Sequence, residues 1–356
     1  MSGVLPMADR SIKASRRPVY FWKATVLLAG AALLLGGCGE SADTRSPSAG
    51  AADLSGVTLV LGDQAKGLRT VVEASKALDG IEYKVQWANF QGAAPLFEAL
   101  RAGAVDLAPA GDTPVLAAAT GGTPLRIVAV RRGQSRSIAI LVPPDSPIRS
   151  VADLKGRNVV VSSARGSIAQ YLLIRALAKA GVEEQDVKVG FVLPTDALPA
   201  FNAGKIEAWA TFGVYQAFAE QKGARVLISG EGINSGLTFI TASDEALGDP
   251  LKRKALSDVL GRFAKAFEWA QDHPEEYAQV FAKANDVPLE VSQTLRRWGD
   301  ESLVPVEARD VQALQQVDDL FVEKKIFPHR VDVNALMDDQ VFAPGSAALR
   351  QSASTR

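Results

Sequence analysis

Two strand-to-helix turns carry the side chains best placed for chemistry. In Ser162-Ser163-Ala164-Arg165-Gly166-Ser167, the two leading serines close a β-branched run, Gly166 lets backbone approach closely, and Ser167 stands as N-cap to a helical pattern. The N–H groups of Ile168 and Ala169 then have no partner inside the helix. Hydroxyls, free amides and a helix N-terminus together can hold an anion. From these residues alone, an ordinary capped helix with solvated amides accounts for the pattern equally well. In the other turn, Gly111-Asp112-Thr113-Pro114, Thr113 fits an N-cap and Pro114 the first helical position. Asp112 either orients that turn or meets a cationic or hydroxylated group. Lys66 and Arg131 end strand-like runs and could supply positive charge, although lone basic residues in loops are commonly solvated.

Other chemistries find no support. The string Gly62-Asp63-Gln64-Ala65-Lys66-Gly67 has its lysine before the glycine and no Lys-Ser or Lys-Thr pair, so it is not a phosphate loop. The two histidines, His273 and His329, stand near no plausible nucleophile or metal ligand, and no Gly-x-Ser-x-Gly elbow occurs. Phe263 and Phe267, four apart with Trp269 nearby, fit a core face better than a binding box. Neither a cofactor nor a metal is expected.

The elements that must position these turns alternate. From residue 57, short β-branched runs such as "VTLVL", "YKVQW", "LRIVAV" and "SIAILV" are separated by helical periodicity, which implies a mostly parallel sheet with helices on both faces. The alternation restarts after Pro143-Pro144-Asp145-Ser146-Pro147, with "NVVVS", a helix over 168–179, "VKVGFV", "EAWAT" and "RVLIS". Ala102-Gly103-Ala104-Val105-Asp106 and Ala203-Gly204-Lys205-Ile206-Glu207 are near copies. Each reads as a glycine-capped helix end leading into a strand. "TFITAS" over 238–243 is expected to return to the first sheet, and helices over 250–325 to complete it. The expected organisation is a first lobe of residues 57–142 and 237–342 and a second of 143–236. The two crossovers, near Val142-Pro143 and Ser235-Gly236, would act as a hinge. Ligands of open α/β sheets bind beyond the carboxyl ends of the strands, which puts both turns on one cleft.

The 356 residues are 47% hydrophobic and 22% charged, enough for two cores in a soluble body. Charge is uneven: Arg10, Lys13, Arg16, Arg17 and Lys23 face only Asp9 in the first 37 residues. They are followed by the apolar run Ala24–Leu35, too short to span a membrane and the length of a signal-peptide core. The run ends in Leu35-Gly36-Gly37-Cys38, and Cys38 is the only cysteine. This string resembles a bacterial lipobox, so 1–37 reads as a lipoprotein signal peptide, Cys38 as the lipidated residue and 38–56 as a flexible tether. Ser15-Arg16-Arg17 hints at twin-arginine export. Residues 343–356 read as a disordered tail. The acidic body left after processing argues against nucleic acid, and contact with the membrane would be through the lipid alone.

Residues 145–182, with "AGAVDLAPAGDTP" and "LPTDALPAFNAGKIEAWATF", closely resemble the aliphatic-sulfonate-binding proteins of the nitrate, sulfonate and taurine class of ABC importers. The similarity runs from about Val57 to about Phe342. It implies a two-lobed α/β fold of the periplasmic-binding-protein type II class with a ligand cleft between the lobes. It also implies a monomeric, non-enzymatic receptor that hands a small organic anion to a permease and its ATPase. The residues expected to bind the ligand are Gln64, Lys66, Gly111, Asp112, Thr113, Arg131, Ser162, Ser163, Gly166, Ser167, Ile168, Phe212 and Tyr215, with Gln64 matching a polar position of the resembled family. Sulfinate desulfinases resemble the same scaffold but use a cysteine nucleophile, and the lipobox accounts for Cys38. One departure stands out: where relatives commonly show Trp-Asp-Pro-Tyr, this chain has Phe212-Gly213-Val214-Tyr215. The loss of a carboxylate and an indole leads to the expectation of a less polar wall and a ligand with an apolar tail.

Overall fold

The computed structural model describes residues 53–342. The expected signal peptide, Cys38, most of the tether and the tail at 343–356 lie outside the described residues.

The chain runs through β1 (Thr58–Gln64), α1 (Gly67–Ala74), β2 (Lys84–Phe90), α2 (Ala93–Arg101), β3 (Leu107–Gly111), α3 (Asp112–Thr120) and β4 (Leu125–Arg132). It crosses to a second sheet with β5 (Ile138–Val142), β6 (Asn158–Val161), α4 (Ile168–Lys179), β7 (Lys188–Phe191), α5 (Pro194–Asn202), β8 (Ala208–Phe212), α6 (Gly213–Gln221) and β9 (Arg225–Ser229). It then returns through β10 (Leu237–Ser243), α7 (Asp244–Gly248), α8 (Pro250–Asp272), α9 (Pro274–Asn285), α10 (Leu289–Arg297), β11 (Ser302–Val304) and α11 (Ala308–Glu323). Among the described residues no helix is long and apolar enough to cross a membrane.

The first sheet has the order β11-β4-β10-β3-β1-β2 and the second β7-β6-β8-β5-β9. Both are mixed rather than mostly parallel: β1 pairs in parallel with β2 and β3, whereas β10 runs antiparallel between β3 and β4. The second sheet repeats the plan, with β6 parallel to β7 and β8 and β5 antiparallel to β8 and β9. Strand composition follows position. Interior strand β5, Ile-Ala-Ile-Leu-Val, is buried at every residue, while no residue of edge strand β2 is fully buried. Side chains on successive residues of a strand serve opposite faces. Leu59 and Leu61 of β1 pack with Val71 of α1 and Phe263 of α8; the other face is filled by Leu96 of α2, Leu116 of α3 and Phe321 of α11. In the second lobe, α4 covers one face through Leu172 and Leu173, and Phe201 and Trp209 fill the other.

The near-repeated strings do the same work in both lobes. Gly103 and Gly204 take left-handed φ values of 69° and 70°, closing α2 and α5. The acidic residue that follows then anchors a parallel strand of its own sheet, β1 in the first and β6 in the second. Asp106 Oδ2 accepts the Val60 N–H at 2.7 Å, and Glu207 Oε2 accepts the Asn158 N–H at 3.1 Å.

The first crossover differs from expectation. Ile138–Val142 pairs with β8 and β9, so the chain leaves the first sheet after Arg132 and not at Val142-Pro143. An apolar run directly after β4 carries no mark of the sheet it joins; its partners lie about 70 to 90 residues further on. The two crossovers run side by side, with the Gly133 N–H donating to the Gly236 carbonyl at 3.1 Å. A Cβ at Gly236 would lie 2.8 Å from the Gly133 oxygen, so only glycine fits this contact.

Candidate functional site

A cavity of about 450 Å3 lies between the lobes, at the carboxyl ends of the parallel strands. The helices that begin there differ in what their first N–H groups meet. Asp63 closes α1: its carboxylate accepts the N–H groups of Gln64, Leu68 and Arg69 at 2.7 to 3.0 Å. Burial pushes the Asp63 carboxyl up, and those N–H groups pull it back down. Asp112 does the same at α3 through the Thr113 N–H at 2.7 Å, while its other oxygen accepts the Ser235 hydroxyl at 2.6 Å. Carboxylates therefore occupy the anion-favouring ends of α1 and α3.

Among the other helix starts on the cavity, α2, α4 and α6 have first-turn amides that no carboxylate takes; α6 has Phe212 as N-cap and no side-chain cap. Gly92 precedes α2 with no side-chain cap, and Ser167 caps α4 only at the Gln170 N–H. The α2 and α4 starts face each other across the lobes: a Cβ built on Gly92 would lie 3.3 Å from Ser163 Oγ. Around this contact the lobes touch at several points. The Tyr215 hydroxyl donates to Gln91 Oε1 at 3.2 Å, and a Cβ on Gly111 would come within 2.6 Å of Ile168 Cγ2. The cleft is thus narrow, with amides of α2 and α4 on opposite walls.

Positive charge along the cavity is mostly spent within the protein. Arg131 pairs with Glu301 at 3.2 Å, donates to Thr238 Oγ1 at 3.0 Å and lies over the Phe267 ring. Arg101 bonds Thr123 and the Gly121 carbonyl. Arg165, between Ser163 and Ser167, is exposed and bonds no described residue. Among the described residues no cluster of His, Cys, Asp and Glu could hold a metal.

A family model described as NMT1/THI5 like matches residues 82–277, more than half of the chain. The chain belongs to the NMT1/THI5-like family. A relative from Escherichia coli (strain K12), named as an aliphatic sulfonates-binding protein, is 33% identical over 257 residues, covering 71% of this chain and 78% of the relative. Among solved structures, the alkanesulfonate-binding protein SsuA from Xanthomonas axonopodis pv. citri, bound to MOPS, superposes with a TM-score of 0.74 at 28% identity, covering 81% of this chain and 99% of that one. The periplasmic aliphatic sulphonate binding protein SsuA from Escherichia coli does so at 0.71 and 30%, covering 80% and 98%. The two-lobed fold is that of these binding proteins. The desulfurization enzyme DSZB shares the fold alone, at 15% identity and a TM-score of 0.60.

Within this NMT1/THI5-like chain, most of the residues singled out by sequence line the cavity: Gln64, Gly111, Asp112, Arg131 and, from the second lobe, Ser163, Gly166, Ser167, Ile168, Phe212 and Tyr215. Three do not. Lys66 is exposed, and its ammonium donates to the Ala284 carbonyl at 2.8 Å. Thr113 is fully buried because α3 begins at Asp112 with Gly111 as N-cap; this places Thr113 inside the first turn, with its hydroxyl unpartnered among the described residues. Ser162 is also fully buried, accepting the Trp209 indole N–H at 2.9 Å. Gln64 turns its amide inward to the Pro109 carbonyl at 2.7 Å. Sequence reasoning missed Gly92, whose place after a strand and just before a helix was the available signal. It also missed Tyr277, Arg296 and Trp298, which α9, α10 and the following turn bring to the cavity from far along the chain.

Proposed function

We propose that this protein is an exported, lipid-anchored solute receptor that captures a small organic sulfonate and delivers it to an ABC permease with its ATPase. The observation that carries this reading is the pair of open helix N-termini, α2 and α4, facing each other from opposite lobes while aspartates close α1 and α3. A sulfonate is a monoanion with three acceptor oxygens and no proton to donate near neutral pH. Facing amides satisfy it from two sides, so binding favours lobe closure. The relatives' names support the same class. Ser163 and the first-turn amides of α2 and α4 would take the sulfonate head, with Gly166 allowing close approach.

A catalytic role on this scaffold lacks its nucleophile, since the chain's one cysteine is Cys38 in the lipobox-like string. Calorimetric titration of the processed protein with alkanesulfonates, taurine, nitrate and sulfate tests the reading. Tight binding confined to sulfonates is expected; preference for nitrate or sulfate would overturn it.

A further inference from the structure

The cavity extends from the α2 and α4 N-termini, past Gln64 and Arg131, to the phenol of Tyr277 on α9. That ring is held on three sides. Trp269 and Phe281 meet it edge to face at 6.3 and 6.1 Å, and the Arg296 guanidinium lies 5.6 Å over its centre. The ring is fixed, yet its hydroxyl has no hydrogen-bond partner among the described residues. Arg131, Arg296, Glu301 and Asp63 surround it closely enough to act on its ionisation, and burial, the strongest influence, keeps the phenol protonated. A fixed, unpartnered hydroxyl facing a cavity is costly unless water or a ligand meets it.

The surrounding charges are mostly paired or hydrogen-bonded within the protein, although the buried Arg296 Nε has no partner among the described residues. Arg131 pairs with Glu301, Arg296 pairs with Asp300 at 2.6 Å, and Asp63 accepts three backbone N–H groups. The carboxylate beyond those two pairs, Asp63, has its oxygens taken up by backbone N–H groups, so a charged tail end would have to displace bonds already made. A neutral group that both donates and accepts suits this end of the cavity.

We propose that Tyr277 is a specificity-determining residue that hydrogen-bonds the far end of the ligand's tail, so that the receptor prefers sulfonates whose tail ends in a neutral hydroxyl. This inference rests on the sulfonate reading. It departs from the apolar-tail expectation drawn from Phe212-Gly213-Val214-Tyr215, because the tail's end would meet the opposite lobe.

The test is titration of ω-hydroxyalkanesulfonates of increasing length, each paired with the alkanesulfonate in which a methyl replaces the hydroxyl. At one chain length the wild-type protein is expected to favour the hydroxyl compound by about tenfold. Tyr277→Phe keeps the ring under Arg296 and should abolish that preference, the hydroxyl compound losing affinity relative to its methyl partner. The inference is overturned if the wild-type protein shows no hydroxyl preference at any length, if the preference survives in Tyr277→Phe, or if an ammonium-ended tail binds better than the hydroxyl. Binding of neither series removes the sulfonate reading itself and this inference with it, whereas tight binding of both without discrimination removes only the role of Tyr277.

Discussion

The Ser235 hydroxyl donates to Asp112 Oδ2 at 2.6 Å, tying the first turn of α3 to the second crossover between the lobes. The carboxyl thus sits at the second crossover as well as on the cleft. Burial raises its proton affinity above the usual carboxylate range, against the pull of Ser235 and the Thr113 N–H. The unfolded chain therefore loses this proton at lower pH than the folded protein. Stability is undiminished while both states keep the proton, and falls as pH climbs from the ordinary carboxylate range through the raised folded value. Asp112→Asn can accept from the Thr113 N–H and donate to Ser235 Oγ. Its melting temperature is expected to match the wild type at acid pH and to exceed it as pH rises through that window. A variant less stable at every pH would show that the ionised carboxylate is required.

Ser162 and Ser167 look alike in sequence and should behave differently. Ser162→Ala strips the acceptor from a wholly buried indole N–H of Trp209, which should cost about 1–3 kcal/mol of stability. The Ser167 hydroxyl donates to the Ser162 carbonyl at 2.7 Å and accepts the Gln170 N–H at 3.3 Å, so its proton is not free for a ligand. Ser167→Ala should cost about 1 kcal/mol as a lost N-cap. Neither should weaken sulfonate binding more than a few-fold. Denaturant melts paired with calorimetry check both; a large loss of affinity in a stable Ser167→Ala protein would restore its hydroxyl as a direct contact.

What could be read before the structure was local. Helix ends at Gly103 and Gly204, the Ser167 cap and the strand-helix alternation are decided within a few residues. Placement on the cleft of Gly111 and Ser163 followed from strand direction. What escaped depends on distant partners. Ile138–Val142 could join either sheet until β8 and β9 were formed, and the short strand β11 is defined by its pairing with β4. Ser162 reads as a cleft hydroxyl until Trp209, 47 residues on, claims it. Tyr277 carries no mark of function in its own stretch; it reaches the cavity because α9 packs beside α1 and α10.

Cys38→Ser should release the receptor into the soluble fraction without altering its melting temperature, because the core of the body begins at Leu54 and Val57. Fractionation of cells expressing the variant decides this. Continued membrane association would exclude lipidation at Cys38 as the anchor.

Gly111→Ala tests closure without straining backbone. Gly111 has φ −62° and ψ 170°, an extended conformation open to alanine. The added methyl would meet Ile168 Cγ2 at 2.6 Å across the cleft, and a β-branched side chain at the start of α4 has little freedom to retreat. Overpacking of this kind costs about 1–3 kcal/mol. Because the clash arises only where the lobes meet, it should be charged to the closed state and read as lost affinity of about tenfold or more, with the melting temperature of the unliganded protein little changed. Ile168→Ala removes the opposing methyl and should restore most of the affinity in the double variant. If Gly111→Ala binds sulfonates as the wild type does, the lobes do not close to this contact when loaded. If it melts early without ligand, the contact already holds the empty protein together.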